Sequence, residues 1–83
     1  MFIAKIKVTL KPAVLDPQGK TVMHSLENLG FENLDSVRIG KYIEVKIDGG
    51  SQEEVRKSVD QMCSKLLANP VIETYDITIE SDE

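Results

Sequence analysis

The feature that most constrains this chain is a strict alternation of apolar and polar residues at its start. Between residues 2 and 10 every second side chain is apolar: Phe2, Ala4, Ile6, Val8 and Leu10. A period of two places these side chains on one face of a β-strand. The remainder of a chain of 83 residues must therefore supply elements that cover this face.

After the first strand the spacing of the apolar residues changes to the helical period, which predicts two helices. Asp16 followed by Pro17 predicts the first helix start, because the aspartate accepts hydrogen bonds from first-turn amides and proline has no amide to leave unpaired. Gly30 ends this helix, and Phe31 folds back in a Schellman motif. The capping box at residues 51–54 opens a second helix, which ends near Ala68.

Alternation predicts three further strands, over residues 37–39, 43–47 and 71–79, followed by an acidic tail over 80–83. Gly40-Lys41 predicts a tight hairpin turn in which glycine supplies a positive φ. The order β-α-β-β-α-β indicates an α+β fold, the split-βαβ (ferredoxin-like) sandwich. This fold has a four-stranded antiparallel sheet with two helices on one face, built from a single domain over residues 1–83.

Composition argues against several functional classes. The chain carries 14 acidic and 10 basic residues, a net charge of −4, which disfavours a nucleic-acid partner. It contains no apolar run near the roughly 20 residues of a membrane span. Cys63 is the only cysteine, which excludes an internal disulfide and favours a reducing, cytoplasmic location. A chain of this length has a marginal core that oligomerisation would help.

The sequence offers little for catalysis. His24 lies on the polar side of the first helix, and Cys63 lies beside the apolar stripe of the second, where a packed thiol is expected. One histidine and one cysteine cannot supply a tetrahedral metal site. Gly49-Gly50 lacks the lysine and the spacing of a phosphate-binding loop. We therefore expect a binding or assembly module without catalytic, cofactor-binding or metal-ligating residues.

Three features could mediate association with other proteins. Val14 and Leu15 precede the first helix, either as a local hydrophobic staple with Leu15 packed on the helix or as a docking loop. The second face of the sheet carries Ile3 and Tyr42 among polar residues and could bind another copy of the chain. Pairing between exposed edge strands is a third route.

Five segments carry a family resemblance that extends over essentially the whole chain: Leu10-Lys11, residues 14–19, Leu29-Gly30-Phe31, residues 37–41 and residues 62–73. In this order and at this length the chain resembles the PurS family, the small subunit of phosphoribosylformylglycinamidine synthase. Thr74 departs from the family pattern, in which an acidic residue is frequent at this exposed strand position.

The resemblance implies a non-catalytic assembly subunit in de novo purine biosynthesis. The family's complex converts formylglycinamide ribonucleotide, glutamine and ATP into the amidine, glutamate, ADP and phosphate. A glutaminase subunit releases ammonia, and a large synthetase subunit uses ATP and Mg²⁺ to activate the amide oxygen. A PurS-like chain forms a homodimer or higher homo-oligomer, bridges the two subunits and assists ammonia transfer. The chain alone is expected to be inactive and to bind no cofactor.

Two groups of residues are candidates for contact with the partner subunits. The first is the loop of Val14, Leu15, Asp16, Pro17, Gln18 and Gly19, and the second comprises Arg38, Gly40 and Lys41. Each also has a local explanation, as a capped helix start and as a turn. The alternative function is a regulatory domain that binds a small metabolite at a dimer interface, since the same fold serves that role.

Overall fold

A computed structural model describes residues 1–82 of the chain. Its elements are β1 (Phe2–Leu10), α1 (Pro17–Asn28), β2 (Gly40–Ile47), α2 (Gln52–Met62), a π-helical segment (Cys63–Leu67) and β3 (Glu73–Ser81). Within the described residues the sheet has three antiparallel strands in the order β2-β1-β3. The fold is therefore α+β, as predicted.

Strand β1 occupies the centre of the sheet and pairs with both neighbours. Ala4, Ile6 and Val8 on its alternating face are buried. The register places Val45 and Ile79 on either side of Ala4, so the apolar residues of all three strands share one face. The predicted one-faced strand at residues 2–10 is confirmed.

Helix α2 covers this face over β1 and β3. Val55, Val59 and Cys63 recur every four residues and are buried in the core. The Ser51 hydroxyl accepts a hydrogen bond from the Glu54 N–H at 3.2 Å, which is the serine half of the predicted capping box. Burial of this stripe against β1 and β3 follows from the helical period.

Strand β3 continues two residues beyond its predicted end. The Glu80 carboxylate lies 2.9 Å from Lys5 Nζ, and the Asp82 carboxylate lies 3.5 Å from Lys46 Nζ. The Asp82 N–H donates to the Met1 carbonyl at 3.0 Å. Residues 80 and 81 of the expected acidic tail thus belong to the sheet, while Glu83 lies outside the described residues.

The predicted hairpin at Gly40-Lys41 is wrong. Gly40 is the first residue of β2 and pairs with Thr9. Among residues 1–82 the positive φ belongs to Gly30, at +102°, and not to Gly40. A Cβ at Gly40 would lie 2.6 Å from the Val8 carbonyl oxygen, so the glycine permits close approach to β1 and makes no turn.

The fourth strand is not confirmed, because the residues predicted to form it are held elsewhere. The Ile39 N–H donates to the Asp16 carboxylate at 2.8 Å, which ties this segment to the start of α1. Residues 31–39 run into β2 without a reversal and lie outside the sheet. At Ile39 a hydrogen bond to a distant side chain takes the place of strand pairing.

Residues 11–39 project from one end of the sheet, and we call them the arm. The chain leaves the sheet after β1 and returns at Gly40, beside Thr9. In the part of the chain that the structure describes, α1 has no extensive contact with the sheet, so the arrangement of both helices on one face is not confirmed. The radius of gyration is 16.3 Å, whereas a compact chain of this length has about 12 Å.

Helix α1 ends within the arm as the sequence predicts. The Gly30 N–H donates to the Glu27 carbonyl at 3.0 Å, and the Phe31 N–H donates to the Leu26 carbonyl at 3.1 Å. This pair of hydrogen bonds defines a Schellman motif, with glycine in the left-handed region. The Phe31 side chain nevertheless remains 58% exposed.

We predict that Gly40→Ala lowers the free energy of unfolding by about 1–3 kcal/mol, because the added Cβ must displace a backbone oxygen. Gly50→Ala is the matched control, since its Cβ would meet only the flexible Glu54 carboxylate at 3.2 Å. Urea unfolding of both variants measures the difference. Equal losses would contradict the close packing of Gly40 on β1.

Candidate interaction site at the base of the arm

Asp16 links the start of the arm to its end. Its Oδ1 accepts a hydrogen bond from the Gly19 N–H at 2.8 Å, and its Oδ2 accepts one from the Ile39 N–H at 2.8 Å. The first bond is the predicted N-cap, which is confirmed. The side chain is only 5% exposed. The Ile39 N–H, and then the Gly19 N–H, stabilise the charged form and lower the pKa of Asp16.

Arg38 holds the opposite side of the same loop. Its Nη2 donates to the carbonyls of Lys11 at 2.9 Å and Val14 at 3.0 Å. Hydrogen bonds from a charged donor are stronger than neutral ones, so the backbone before α1 is well ordered. The two candidate groups, separated in the sequence, are thus brought together at the base of the arm.

In the loop before α1, backbone carbonyls are hydrogen-bonded to Arg38 while apolar side chains are exposed. Leu15 is 63% exposed, and Pro12, Ala13 and Pro17 are exposed beside it. Leu15 is therefore not buried by the first turns of α1, and the hydrophobic-staple interpretation is wrong. An ordered loop with exposed apolar side chains is suited to contact with another protein.

Lys41 does not occupy a hairpin tip. Its Nζ donates to the Leu67 carbonyl at 3.3 Å and lies 3.9 Å from the Glu73 carboxylate. Gly40 and Lys41 line a surface groove together with Asp16, Pro17 and Gln18. The exposed candidate residues thus lie around the start of α1, whereas Asp16 and Gly19 are buried beneath them.

The titratable residues outside the base of the arm are either buried in the core, hydrogen-bonded to another side chain or exposed to solvent. Cys63 is buried, and desolvation, followed by the nearby Asp60 charge, raises the pKa of its thiol. The Tyr75 hydroxyl donates to Asp60 Oδ1 at 2.8 Å. His24 is exposed on α1. Residues 1–82 contain no group of three or more His, Cys, Asp or Glu side chains that could hold a metal ion.

No helix within residues 1–82 has the length and apolar character needed to cross a membrane.

Sequence reasoning missed the contact between Asp16 and Ile39. The local role of Asp16 as a helix cap uses only one of its carboxylate oxygens. The second oxygen binds an amide 23 residues away. No local pattern marks such a partner, and only the course of the chain through residues 29–39 reveals it.

Comparison with known proteins identifies the family. The PurS family, described as phosphoribosylformylglycinamidine (FGAM) synthase, matches residues 3–81. The chain belongs to the PurS family. A phosphoribosylformylglycinamidine synthase subunit PurS from Methanocaldococcus jannaschii is 42% identical over 83 residues, covering 100% of both chains. The resemblance inferred from the sequence is thus confirmed.

Solved structures of PurS family members share the fold. A crystal structure of Bacillus subtilis PurS is 44% identical, with a TM-score of 0.88, and the match covers 98% of this chain and 100% of that one. A chain in the structure of PurLQS from Thermotoga maritima is 29% identical, with a TM-score of 0.87 and coverage of 95% and 96%. The elongated shape of this chain is therefore compatible with solved folds of the family.

We predict that Asp16→Asn destabilises the protein at neutral pH, since the amide NH₂ would face the Ile39 N–H and leave one donor without an acceptor. Because the pKa of Asp16 is lowered by folding, its carboxylate stabilises the folded state fully at pH values above 3.8, the ordinary pKa of an aspartate. This stabilisation is lost as the pH falls through the lowered pKa of the folded state.

Urea unfolding of the wild type and Asp16→Asn at neutral and strongly acidic pH measures this dependence. The gap between the two proteins narrows on acidification. Asp35→Asn, at an exposed carboxylate of the same arm, is the matched control. A gap for Asp16→Asn that is independent of pH would contradict the role assigned to its charge.

Proposed function

We propose that this chain is the non-catalytic assembly subunit of a phosphoribosylformylglycinamidine synthase in de novo purine biosynthesis. The match of the family over residues 3–81 is the observation that carries the proposal. The relative from Methanocaldococcus jannaschii, similar over its full length, is named as a subunit of this enzyme. The chain acts as part of an ATP-dependent amidoligase and has no activity alone.

The chemistry explains why such an enzyme needs an assembly subunit. Ammonia released from glutamine is a nucleophile only while it is unprotonated and kept from bulk water. The glutaminase and synthetase subunits must therefore be held together during transfer. We infer that this chain bridges them, while the synthetase subunit binds ATP and Mg²⁺. Its similarity to a chain of PurLQS from Thermotoga maritima, with a TM-score of 0.87, supports the bridging role.

The base of the arm is the proposed contact with a partner subunit. It comprises Val14, Leu15, Asp16, Pro17, Gln18, Gly19, Arg38, Gly40 and Lys41. Hydrogen bonds from the Ile39 N–H to Asp16 and from Arg38 to the loop carbonyls fix its backbone before binding. A preformed loop loses little conformational entropy on association. Exposed Leu15 is the apolar anchor of this surface.

We also propose that residues 1–83 act as one domain that forms a homodimer or higher homo-oligomer. In this state the split-βαβ arrangement, with two helices on one face and a fourth strand, is completed between protomers. The projecting arm and the edge strands β2 and β3 support this view. The location in the cytoplasm stays a prediction from the sequence.

We predict that Leu15→Asp weakens binding to the partner subunits at least about tenfold, because a charge replaces an apolar anchor. Sedimentation velocity with the glutaminase and synthetase subunits of the same source measures complex formation. Leu66→Asp is the matched control, since Leu66 is an 83% exposed leucine distant in sequence from the loop. Circular dichroism checks that both variants fold. Equal binding by the two variants would remove the loop from the interface.

We predict that only the glutamine-dependent reaction requires this chain. Formation of the amidine is followed with glutamine, and separately with ammonium, in the presence and absence of the chain. External ammonium bypasses the transfer between subunits, so that reaction continues without the chain. If neither reaction responded, the assembly role would fail, and a regulatory role would be tested by thermal shift with amino acids and nucleotides.

A further inference from the structure

The outer edge of β3 has no neighbouring strand. In the sheet order β2-β1-β3, β1 pairs with one side of β3, and within residues 1–82 no strand pairs with the other. Backbone groups of an antiparallel strand point alternately to its two sides, so every second residue of an edge strand directs its N–H and C=O outward. Such a row of unpaired groups is a template on which another strand can pair.

Strand β3 is long, regular and poor in the residues that discourage pairing at an edge. It runs over nine residues, Glu73–Ser81, and contains neither proline nor lysine. Its register with β1 continues without a bulge along its whole length. The carboxylates of Glu73 and Glu80 lie beside lysines of the same chain, at 3.9 and 2.9 Å. A strand of this kind needs cover from another element.

Helix α2 supplies hydrogen-bond donors to this edge at successive turns. Gln52 Nε2 donates to the Ile79 carbonyl at 2.9 Å. One turn later, Nη1 and Nη2 of Arg56 both donate to the Ile77 carbonyl at 3.3 Å. Carbonyls on the inner side of β3 are bonded to β1, and residues two apart point to the same side. The two acceptors therefore belong to the outer edge.

A third contact continues the series along the helix. The Tyr75 hydroxyl donates to Asp60 Oδ1 at 2.8 Å. Residues 52, 56 and 60 of α2 thus contact residues 79, 77 and 75 of β3. Four helical residues rise about 6 Å and two strand residues about 6.7 Å, so the two series stay in step. The geometry of the two elements places a donor opposite each outward carbonyl of this stretch.

The opposite edge of the sheet lacks this arrangement. Within residues 1–82, the side chains that donate to main-chain carbonyls reach none in β2. Helix α2 packs on β1 and β3 instead. Lys41 and Lys46 of β2 are charged residues of the kind that edge strands carry. The two edges of the sheet are therefore treated differently.

We propose that α2 closes the outer edge of β3 to strand addition, with Gln52 and Arg56 as an edge guard that occupies its outward carbonyls. An extended segment of another chain would have to displace both donors before its own N–H groups could bind. Donors on the same chain act at a high effective concentration, which favours them over a separate molecule. The inference goes beyond the proposed function, since it concerns a contact that the chain avoids, and it restricts edge pairing to β2.

Removal of the edge guard tests the proposal. The variant Gln52→Ala/Arg56→Ala deletes both donors and keeps the helix, because alanine has the highest helix propensity. We expect intermolecular β-structure to form at least about tenfold faster than in the wild type, since displacing two hydrogen bonds no longer adds to the barrier. Thioflavin T fluorescence and the infrared amide I band follow its formation at neutral pH, where circular dichroism shows both proteins folded.

Lys57→Ala/Gln61→Ala is the matched control. It also removes one cation and one amide from α2, at positions four residues apart. Within the described residues neither side chain donates to a carbonyl of β3. We expect this control to form intermolecular β-structure at the wild-type rate. Equal rates in the two double variants would overturn the proposal.

Hydrogen exchange locates the new pairing. In an antiparallel strand the N–H and C=O of one residue point to the same side, so the Ile77 and Ile79 N–H groups also face outward. We expect both to exchange rapidly in the wild type and to become protected in the assemblies of the guard variant. Assemblies that protect other segments and leave these amides unprotected would overturn the proposal. Protection of both amides in the wild type would overturn it as well, since β3 would already be paired.

Discussion

The two hydrogen bonds accepted by Asp16 join the start of the arm to its end. One carboxylate oxygen caps α1, and the other holds the Ile39 N–H at 2.8 Å. An amide held in this way is not available to a neighbouring strand. The chain enters β2 directly from the arm, and within the described residues the sheet has three strands.

The arm leaves the hydrophobic core incomplete. One helix covers the central strand and β3, while the apolar residues of α1 lie outside the buried core. A chain of 83 residues has little apolar surface to spare, so leaving this much exposed is costly for an isolated monomer. In the homo-oligomer that we propose, association between copies recovers the lost burial, and the loop at the base of the arm stays available for a different partner. A bridging subunit needs this separation of surfaces.

Sequence reasoning succeeded where one local pattern determined one element. The alternation over residues 2–10, the Asp16 cap, the Schellman end at Gly30 and the Ser51 cap all occur as predicted. Each depends on residues a few positions apart, so competing arrangements are few. The predictions of a hairpin at Gly40 and of a hydrophobic staple at Leu15 were wrong, because each residue type is compatible with two different local structures. A glycine is found both where the backbone needs a positive φ and where two strands approach closely. A leucine packs either on its own helix or on another protein.

The sequence by itself determined which faces require burial and where helices begin and end, since periodicity and capping are local properties. It also carried the family resemblance, which the match over residues 3–81 confirms. Only the tertiary structure decided that α1 leaves the sheet, that Asp16 binds Ile39, and that no helix within residues 1–82 packs extensively on β2. The physical reason is that a hydrophobic stripe specifies burial but not the element, or the molecule, that supplies the cover.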